Sequence, residues 1–125
     1  MTKKILIIDD DKVFSKILRD GLTSGGKGKY EVIAAFDGEE GFTVAEREKP
    51  DLIMLDLVMP KLTGMECLKK IRAEEWGKDI PVIVETQLSD MESMGEGVAL
   101  GVRGYLVKAD YSLDDILHQV EEIFK

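Results

Sequence analysis

The sequence predicts an α/β fold, a (βα)5 unit in which a doubly wound parallel sheet of five strands is covered by helices on both faces. Two observations support this prediction. Five short apolar runs recur along the 125-residue chain, at residues 5–8, 32–35, 52–55, 82–84 and 105–107. Runs of this length without polar alternation are typical of strands that are buried on both faces. Between the runs, the apolar spacing changes to the three- and four-residue steps of amphipathic helices.

The helices are predicted from this spacing together with their start and stop signals. The first carries apolar residues at positions 13, 14, 17, 18 and 22, and a Ser/Gly-rich loop at residues 24–28 ends it. Later helix starts have the spacing of a capping box, in which the first side chain accepts a hydrogen bond from the backbone three residues on. These pairs are Asp37 with Glu40, Thr63 with Glu66, Ser89 with Glu92, and Ser112 with Asp115. The last helix, over residues 113–124, has the clearest apolar stripe.

Alternating strands and helices imply right-handed crossovers and a parallel sheet. The common order for five such strands is the flavodoxin-like order 2-1-3-4-5, in which the first and third strands are neighbours. In open sheets of this kind, ligands bind beyond the carboxyl ends of the strands, where the strand order reverses. The functional residues are therefore expected at the ends of the strands.

Composition limits the classes of function. A chain of 14.0 kDa with 44% hydrophobic residues predicts one domain over residues 1–125, with a core of ordinary size. The formal charge of −8 argues against binding to nucleic acid or to an anionic membrane. The single cysteine, Cys67, cannot form an internal disulfide, and no apolar run approaches the ~20 residues of a membrane span. We expect a soluble domain of the cytoplasm.

Acidic residues follow the first and third predicted strands. The first strand leads into Asp9, Asp10 and Asp11, and the third leads into Asp56. If these strands are neighbours, three or four carboxylates converge, and a hard cation such as Mg²⁺ would relieve their repulsion. The alternative is that the first three acids only cap the following helix and that Asp56 begins a turn. The occurrence of both sets at one edge favours a metal site.

The fourth and fifth strands end at the same edge. Thr86 closes the fourth and Lys108 follows the fifth. A hydroxyl and an ammonium group that face a metal-bound carboxylate would both stabilise charge on a phosphoryl group in transfer. Taken alone, Thr86 is better explained as a turn or capping hydroxyl and Lys108 as a solvated surface lysine. Their shared location favours the functional interpretation.

Together these segments resemble the receiver domain of bacterial two-component response regulators, including single-domain chemotaxis and phosphorelay types. The resemblance covers essentially the whole chain. It is carried by residues 5–10, by residues 51–60 with Gly64, by residues 81–84 leading to Thr86, and by Gly101 through Tyr105 to Lys108.

The resemblance implies a role for each matching residue. Asp56 would accept a phosphoryl group from a histidine of a sensor kinase or phosphotransfer protein. Asp10, Asp56 and the backbone carbonyl of Val58 would bind Mg²⁺ directly, while Asp9 would act through water. Lys108 would pair with the phosphoryl group and Thr86 would hydrogen-bond to it. Tyr105, a half-buried strand aromatic, would turn inward behind the threonine, and the domain would switch its binding to an output partner as a monomer or weak dimer.

The sequence departs from the family pattern at several positions near this edge, among them Ala109 and Glu85. Ala109 follows Lys108 where the family usually has a proline with a cis peptide bond. Glu85 places a charge in the otherwise apolar fourth strand. We expect Glu85 to be accommodated by exposure at the strand end or by a basic partner.

Two other classes of function remain as alternatives. A Mg²⁺-dependent phosphatase on a related sheet commonly has a second aspartate two positions after its nucleophile, where this chain has Val58. Turnover of a simple phosphate ester would distinguish this class, and none is expected. A flavodoxin-like cofactor carrier would need a Gly/Ser/Thr-rich phosphate loop after the first strand. The acidic residues at that place would instead repel a flavin phosphate.

Overall fold

The computed structural model describes residues 2–57, 59, 62–86 and 100–125. The five predicted strands are confirmed: β1 (Lys3–Ile8), β2 (Tyr30–Ala35), β3 (Leu52–Asp56), β4 (Val82–Thr86) and β5 (Val102–Val107). The helices of the described residues are α1 (Lys12–Gly25), α2 (Gly38–Glu48), α3 (Gly64–Arg72) and α4 (Leu113–Ile123). The helix predicted to start after Ser89 lies outside the described residues.

The strands form one parallel sheet in the order β2-β1-β3-β4-β5, which confirms the flavodoxin-like prediction. Ile5 on the central strand β1 pairs with Val32 on one side and with Leu52 on the other. Residues 5–8 and 52–55 have no exposed surface, which explains why both segments read as continuous apolar runs. The sheet order brings the carboxyl ends of β1 and β3 together.

The sheet separates two apolar cores. On one face, which we call the α1/α4 face, alternate strand residues such as Ile7, Met54 and Ile83 pack against α1 and α4. On the other face, the α2/α3 face, the intervening residues such as Ile8, Leu55 and Val84 pack against α2 and α3. Because successive side chains along a strand point to opposite faces of the sheet, residues two apart reach the same face.

Three of the four predicted helix starts are confirmed by their hydrogen bonds. The Asp37 carboxylate accepts from Glu40 N at 2.8 Å, and the Ser112 hydroxyl accepts from Asp115 N at 3.4 Å. Thr63 and Glu66 form a complete capping box, each side chain accepting from the other's backbone N–H at 3.2 Å. The first helix runs to Gly25 and so takes up part of the predicted loop. Lys27 and Gly28 then adopt positive φ to turn the chain.

None of the helices in the described ranges is both long enough and apolar enough to cross a membrane.

Candidate functional site

Four ionisable side chains meet at the carboxyl end of the sheet on its α1/α4 face. Asp9 continues the alternation of Ile5 and Ile7 past β1, and its N–H extends the strand pairing by donating to Ala35 O at 3.1 Å. The other three are Asp56 at the end of β3, Glu85 near the end of β4, and Lys108 just after β5. Each follows by two residues a member of the core on this face: Met54, Ile83 and Leu106. Strand alternation therefore places all four side chains on one face.

Lys108 lies between two of the predicted acids. Its Nζ is 2.8 Å from Asp9 Oδ2 and 3.2 Å from Asp56 Oδ2. Its side chain is 11% exposed, and those of Asp9 and Asp56 are 0% and 6% exposed. Burial by itself lowers the pKa of the Lys108 ammonium, but the hydrogen bond that it donates to Asp9 and the charge of Asp56 outweigh the effect of burial, so the pKa is raised. Lys108 is thus a fixed cation in this crevice.

The predicted acid cluster is confirmed as a geometric group. Asp9, Asp10 and Asp56 each contribute a carboxylate oxygen, and these oxygens lie within 4.8 Å of one another. Burial tends to raise the pKa of Asp9, but the contact with Glu85 and the hydrogen bonds from Lys108 and the Asp11 N–H together lower it. Asp10 is exposed and forms the open side of the group. Three carboxylates with an open side suit a hard cation such as Mg²⁺, which takes oxygen ligands and retains water.

The capping alternative is correct for one acid of the first set. Asp11 is the N-cap of α1, and its carboxylate accepts from Phe14 N at 3.0 Å. Asp9 in turn accepts from Asp11 N at 2.9 Å, so the turn into the helix also orients the site carboxylate. The three consecutive aspartates therefore divide between capping and the acid cluster.

The expectation that exposure or a basic partner accommodates Glu85 is wrong. Glu85 is neither exposed at the strand end nor hydrogen-bonded to a basic group in the described residues: its exposure is 0%, and neither carboxylate oxygen accepts a hydrogen bond from a donor there. The side chain instead reaches the Asp9 carboxyl group. Burial, the contact with Asp9 and the charge of Asp56 raise the pKa of Glu85 well above its ordinary value of 4.5, although the charge of Lys108 acts in the opposite direction.

The other predicted site residues have different outcomes. Val58 and the side chain of Thr86 lie outside the described part of the chain, whereas the Thr86 backbone ends β4 in register with Val107. Tyr105 is half-buried, as expected for a strand aromatic, but it packs on the α2/α3 face and the structure does not bring it into the acid cluster. The Lys108–Ala109 bond is trans, since the described residues contain no cis peptide bond, and Lys108 still reaches both acids.

A glycine lets the first residue of α3 lie against the backbone of Asp56. Gly64 N donates to Leu57 O at 3.1 Å, and a Cβ at Gly64 would lie 1.9 Å from Asp56 O. No side chain can occupy that space, so only glycine allows α3 to begin this close to the site. The match of Gly64 to the family pattern therefore has a steric cause.

Two features of the site around Lys108 were not predicted from the sequence. The ring of Phe14, which was read only as part of an apolar stripe, lies 5.2 Å from Lys108 Nζ and forms one wall of the crevice. Glu85 is in register with Asp56, and this pairing places its carboxyl group beside the site. The alternation of side chains along β3 and β4 could have predicted this position of Glu85, because residues 56 and 85 lie on the same face of the sheet. No local signal indicates the Phe14 contact.

A 2-1-3-4-5 sheet with an acid cluster and Lys108 at its carboxyl edge is the arrangement expected of a signalling domain of the phosphoacceptor class. Comparison with known proteins agrees with this class. A family model described as the response regulator receiver domain matches residues 5–121. The chain therefore belongs to the response regulator receiver family of two-component signalling.

Individual relatives and structures are consistent with this family. The chain is 42% identical over 106 residues to the probable transcriptional regulator ycf27 of Porphyridium aerugineum, covering 85% of this chain and 42% of that protein. It is 39% identical over 108 residues to the alkaline phosphatase synthesis regulatory protein PhoP of Bacillus subtilis, covering 86% of this chain and 43% of that protein. The chain thus spans less than half the length of these relatives. The structure of Vibrio cholerae chemotaxis protein CheY4 matches with a TM-score of 0.88 at 30% identity, covering 98% of this chain and 99% of that one.

Proposed function

We propose that Asp56 is the phosphoacceptor of this receiver domain. The supporting observation is that Asp56 alone among the described acids combines contact with Lys108, membership of the three-carboxylate group and residual exposure. Asp9 has no exposed surface, and its carboxylate oxygens already contact the Lys108 ammonium group and accept a hydrogen bond from the Asp11 N–H. Asp10 is exposed, and the ammonium group of Lys108 bonds to Asp9 and Asp56 instead. Asp56 is therefore the best-placed nucleophile.

The proposed reaction moves a phosphoryl group from a histidine nitrogen to an Asp56 oxygen. A carboxylate oxygen forms the new P–O bond as the P–N bond breaks, and the histidine leaves with the electron pair of that bond. The product is an acyl phosphate on Asp56. Lys108 lies within 3.2 Å of the same carboxylate, so its ammonium group can follow the added negative charge while it remains paired with Asp9.

The carboxylates of Asp9, Asp10 and Asp56, with the backbone carbonyl of Val58, are the proposed Mg²⁺ ligands, with Asp9 acting through water. When bound, the ion supplies charge neutralisation for the phosphoryl oxygens. Thr86 is proposed to hydrogen-bond to the phosphoryl group and Tyr105 to turn inward behind it. The strand register supports this pair, because Thr86 pairs with Val107 and Tyr105 with Val84, so both lie near the site edge of β4 and β5.

We also propose the wider role of residues 1–125 as a single receiver domain of the cytoplasm. Its phosphoryl donor would be a sensor histidine kinase or a histidine phosphotransfer protein, and its output would be altered binding to a protein partner. The domain would catalyse only its own phosphoryl transfer and dephosphorylation. It would act as a monomer or weak dimer and would bind neither nucleic acid nor membrane.

The experiment is intact-mass measurement after treatment with acetyl phosphate and Mg²⁺. We expect the wild type to gain one phosphoryl group, and Asp56→Asn or addition of EDTA to abolish the gain. Asp11→Asn is the matched control, because asparagine preserves the helix cap beside the site and should leave the gain intact. An undiminished gain in Asp56→Asn would overturn the assignment. Steady turnover of a simple phosphate ester would instead support the phosphatase alternative.

A further inference from the structure

Glu85 occupies an enclosed position directly beside the proposed phosphoacceptor. On β4 it is in register with Asp56 of β3 on one side and with Leu106 of β5 on the other. Its side chain lies on the α1/α4 face, between the strands that carry Asp56 and Lys108. The residue has no exposed surface, so its carboxyl group faces the interior of the site and not solvent.

The Glu85 carboxyl group lacks the partners that normally accompany a buried acid. Neither oxygen accepts a hydrogen bond from a donor among the described residues, and Lys108 Nζ bonds to Asp9 and Asp56 instead. A buried polar group without a partner is costly, so a side chain of this kind needs a compensating contact. The neighbour that it reaches is the Asp9 carboxyl group, to which a protonated Glu85 can donate a hydrogen bond.

Asp9 is the acid most affected by this contact. Its Oδ1 accepts from Asp11 N at 2.9 Å and from Lys108 Nζ at 3.0 Å, while Oδ2 lies 2.8 Å from the same ammonium group. Glu85 lies on β4, whereas Asp11 caps α1 and Lys108 follows β5. Three groups from separate elements thus contact the Asp9 carboxyl group.

We propose that Glu85 is a positioning residue of the cation site, which holds the Asp9 carboxylate in place through their contact and thereby raises the affinity of the site for a divalent cation. The inference rests on the proposed function, because it assumes that Asp9, Asp10 and Asp56 hold a cation. Groups that orient metal-binding side chains commonly change metal affinity when they are removed, although they never touch the ion. Glu85 has this place in the site.

The test is calorimetric titration with Mg²⁺ alone on three variants. Glu85→Met preserves the length of the side chain but cannot bond to Asp9, and we expect its Mg²⁺ affinity to fall by about tenfold, the lower end of the range for such partners. Glu85→Gln can still donate to Asp9 and should restore affinity to within about twofold to threefold of the wild type, since its amide is close in shape to the carboxyl group. Val84→Ala is the control. It is equally buried on the same strand but faces α2 and α3, so its affinity should be unchanged.

Thermal unfolding supplies a second readout that a purely structural role would not produce. Without metal, Glu85→Met should unfold at a higher temperature than the wild type, because an apolar side chain replaces a buried acid. Its rise in unfolding temperature on addition of Mg²⁺ should be smaller. If Glu85→Met does not fold, Glu85→Val provides the same comparison with a smaller side chain.

The outcomes separate the two proposals. If the wild type binds Mg²⁺ and Glu85→Met binds it equally tightly, the role of Glu85 is wrong and the proposed cation site stands. If Glu85→Met and Glu85→Gln both bind Mg²⁺ weakly, the proposal that Glu85 acts by hydrogen bonding to Asp9 is wrong. If the wild type itself fails to bind Mg²⁺, the proposed metal site and the inference that depends on it fail together.

Discussion

Replacement of Lys108 by methionine should destabilise the metal-free domain and increase its response to Mg²⁺. The substitution keeps an unbranched apolar stem against Phe14 but removes the ammonium group 2.8 Å from Asp9 and 3.2 Å from Asp56. The remaining carboxylates then repel one another in a largely buried site. A divalent cation can replace the missing charge, so the variant has more to gain from Mg²⁺ than the wild type.

The size of the effect follows from the burial of the group. Two unit charges about 3 Å apart attract by about 5 kcal/mol at an effective dielectric constant of about 20, before the cost of desolvation is subtracted. Removing one partner of a buried ion pair costs about 3–5 kcal/mol in practice. We expect about 3 kcal/mol here, at the lower end, because the exposed Asp10 gives water access to the rim of the site. For a domain of this length that corresponds to a fall of about 10 °C in unfolding temperature.

The assay is urea and thermal unfolding in EDTA and again in excess Mg²⁺. Lys16→Met is the matched control, since Lys16 pairs with Asp20 at 3.0 Å on the surface with both side chains mostly exposed. Its loss should stay below about 0.5 kcal/mol in either condition. The reasoning would be refuted if Lys108→Met lost less than about 1 kcal/mol in EDTA, or if Mg²⁺ stabilised it no more than the wild type.

Three further predictions concern buried groups. Glu85 has a pKa well above 4.5 in the folded protein, so the folded protein holds a proton that the unfolded chain releases. The free energy of unfolding in EDTA should therefore fall as pH rises above 4.5. A wild-type pH profile of this free energy that is flat and matches the profile of Glu85→Met would contradict the prediction. Gly64→Ala should cost at least about 2 kcal/mol in urea unfolding, because its Cβ would overlap Asp56 O, and a wild-type midpoint would disprove the steric argument. Burial raises the pKa of the Cys67 thiol to about 12, so iodoacetamide at pH 8 should label it only after unfolding.

Local chemistry made most of the fold predictable from the sequence. Residues 5–8 of β1 and 52–55 of β3 have no exposed surface, and so they form unbroken apolar runs. The capping pairs at Thr63 and Ser112 act between neighbours in the chain, so their spacing was sufficient to locate the helix starts. The fifth strand was predicted three residues short at its beginning, because Arg103 and Gly104 give no apolar signal. Their inclusion depends on pairing with β4, where the register shifts between Val82 and Ile83.

The site was predictable where a residue's role follows from its place at a strand end. Asp9, Asp56 and Lys108 could be brought together from topology alone, and the structure places them in contact. Glu85 could not be interpreted in this way. A charge within an apolar run indicates exposure or a basic partner when only the strand itself is considered. Glu85 is buried against Asp9 because the neighbouring strands cover it and because Lys108 bonds to Asp9 and Asp56 and not to Glu85. Neither cause can be seen in the strand's own sequence.

The strand order also has a consequence for the sequence of folding events. The first strand to be synthesised, β1, is an interior strand of the sheet, and Ile5 needs both Val32 and Leu52 as neighbours. After β2 has formed, one edge of β1 therefore remains unpaired until α2 and β3 have followed, and the last four residues of that strand are all apolar. Because such long-range parallel pairing is slow, we expect the closure of β3 onto β1 to limit the folding rate. A nascent chain that pauses before Asp56 would be the form most prone to aggregate.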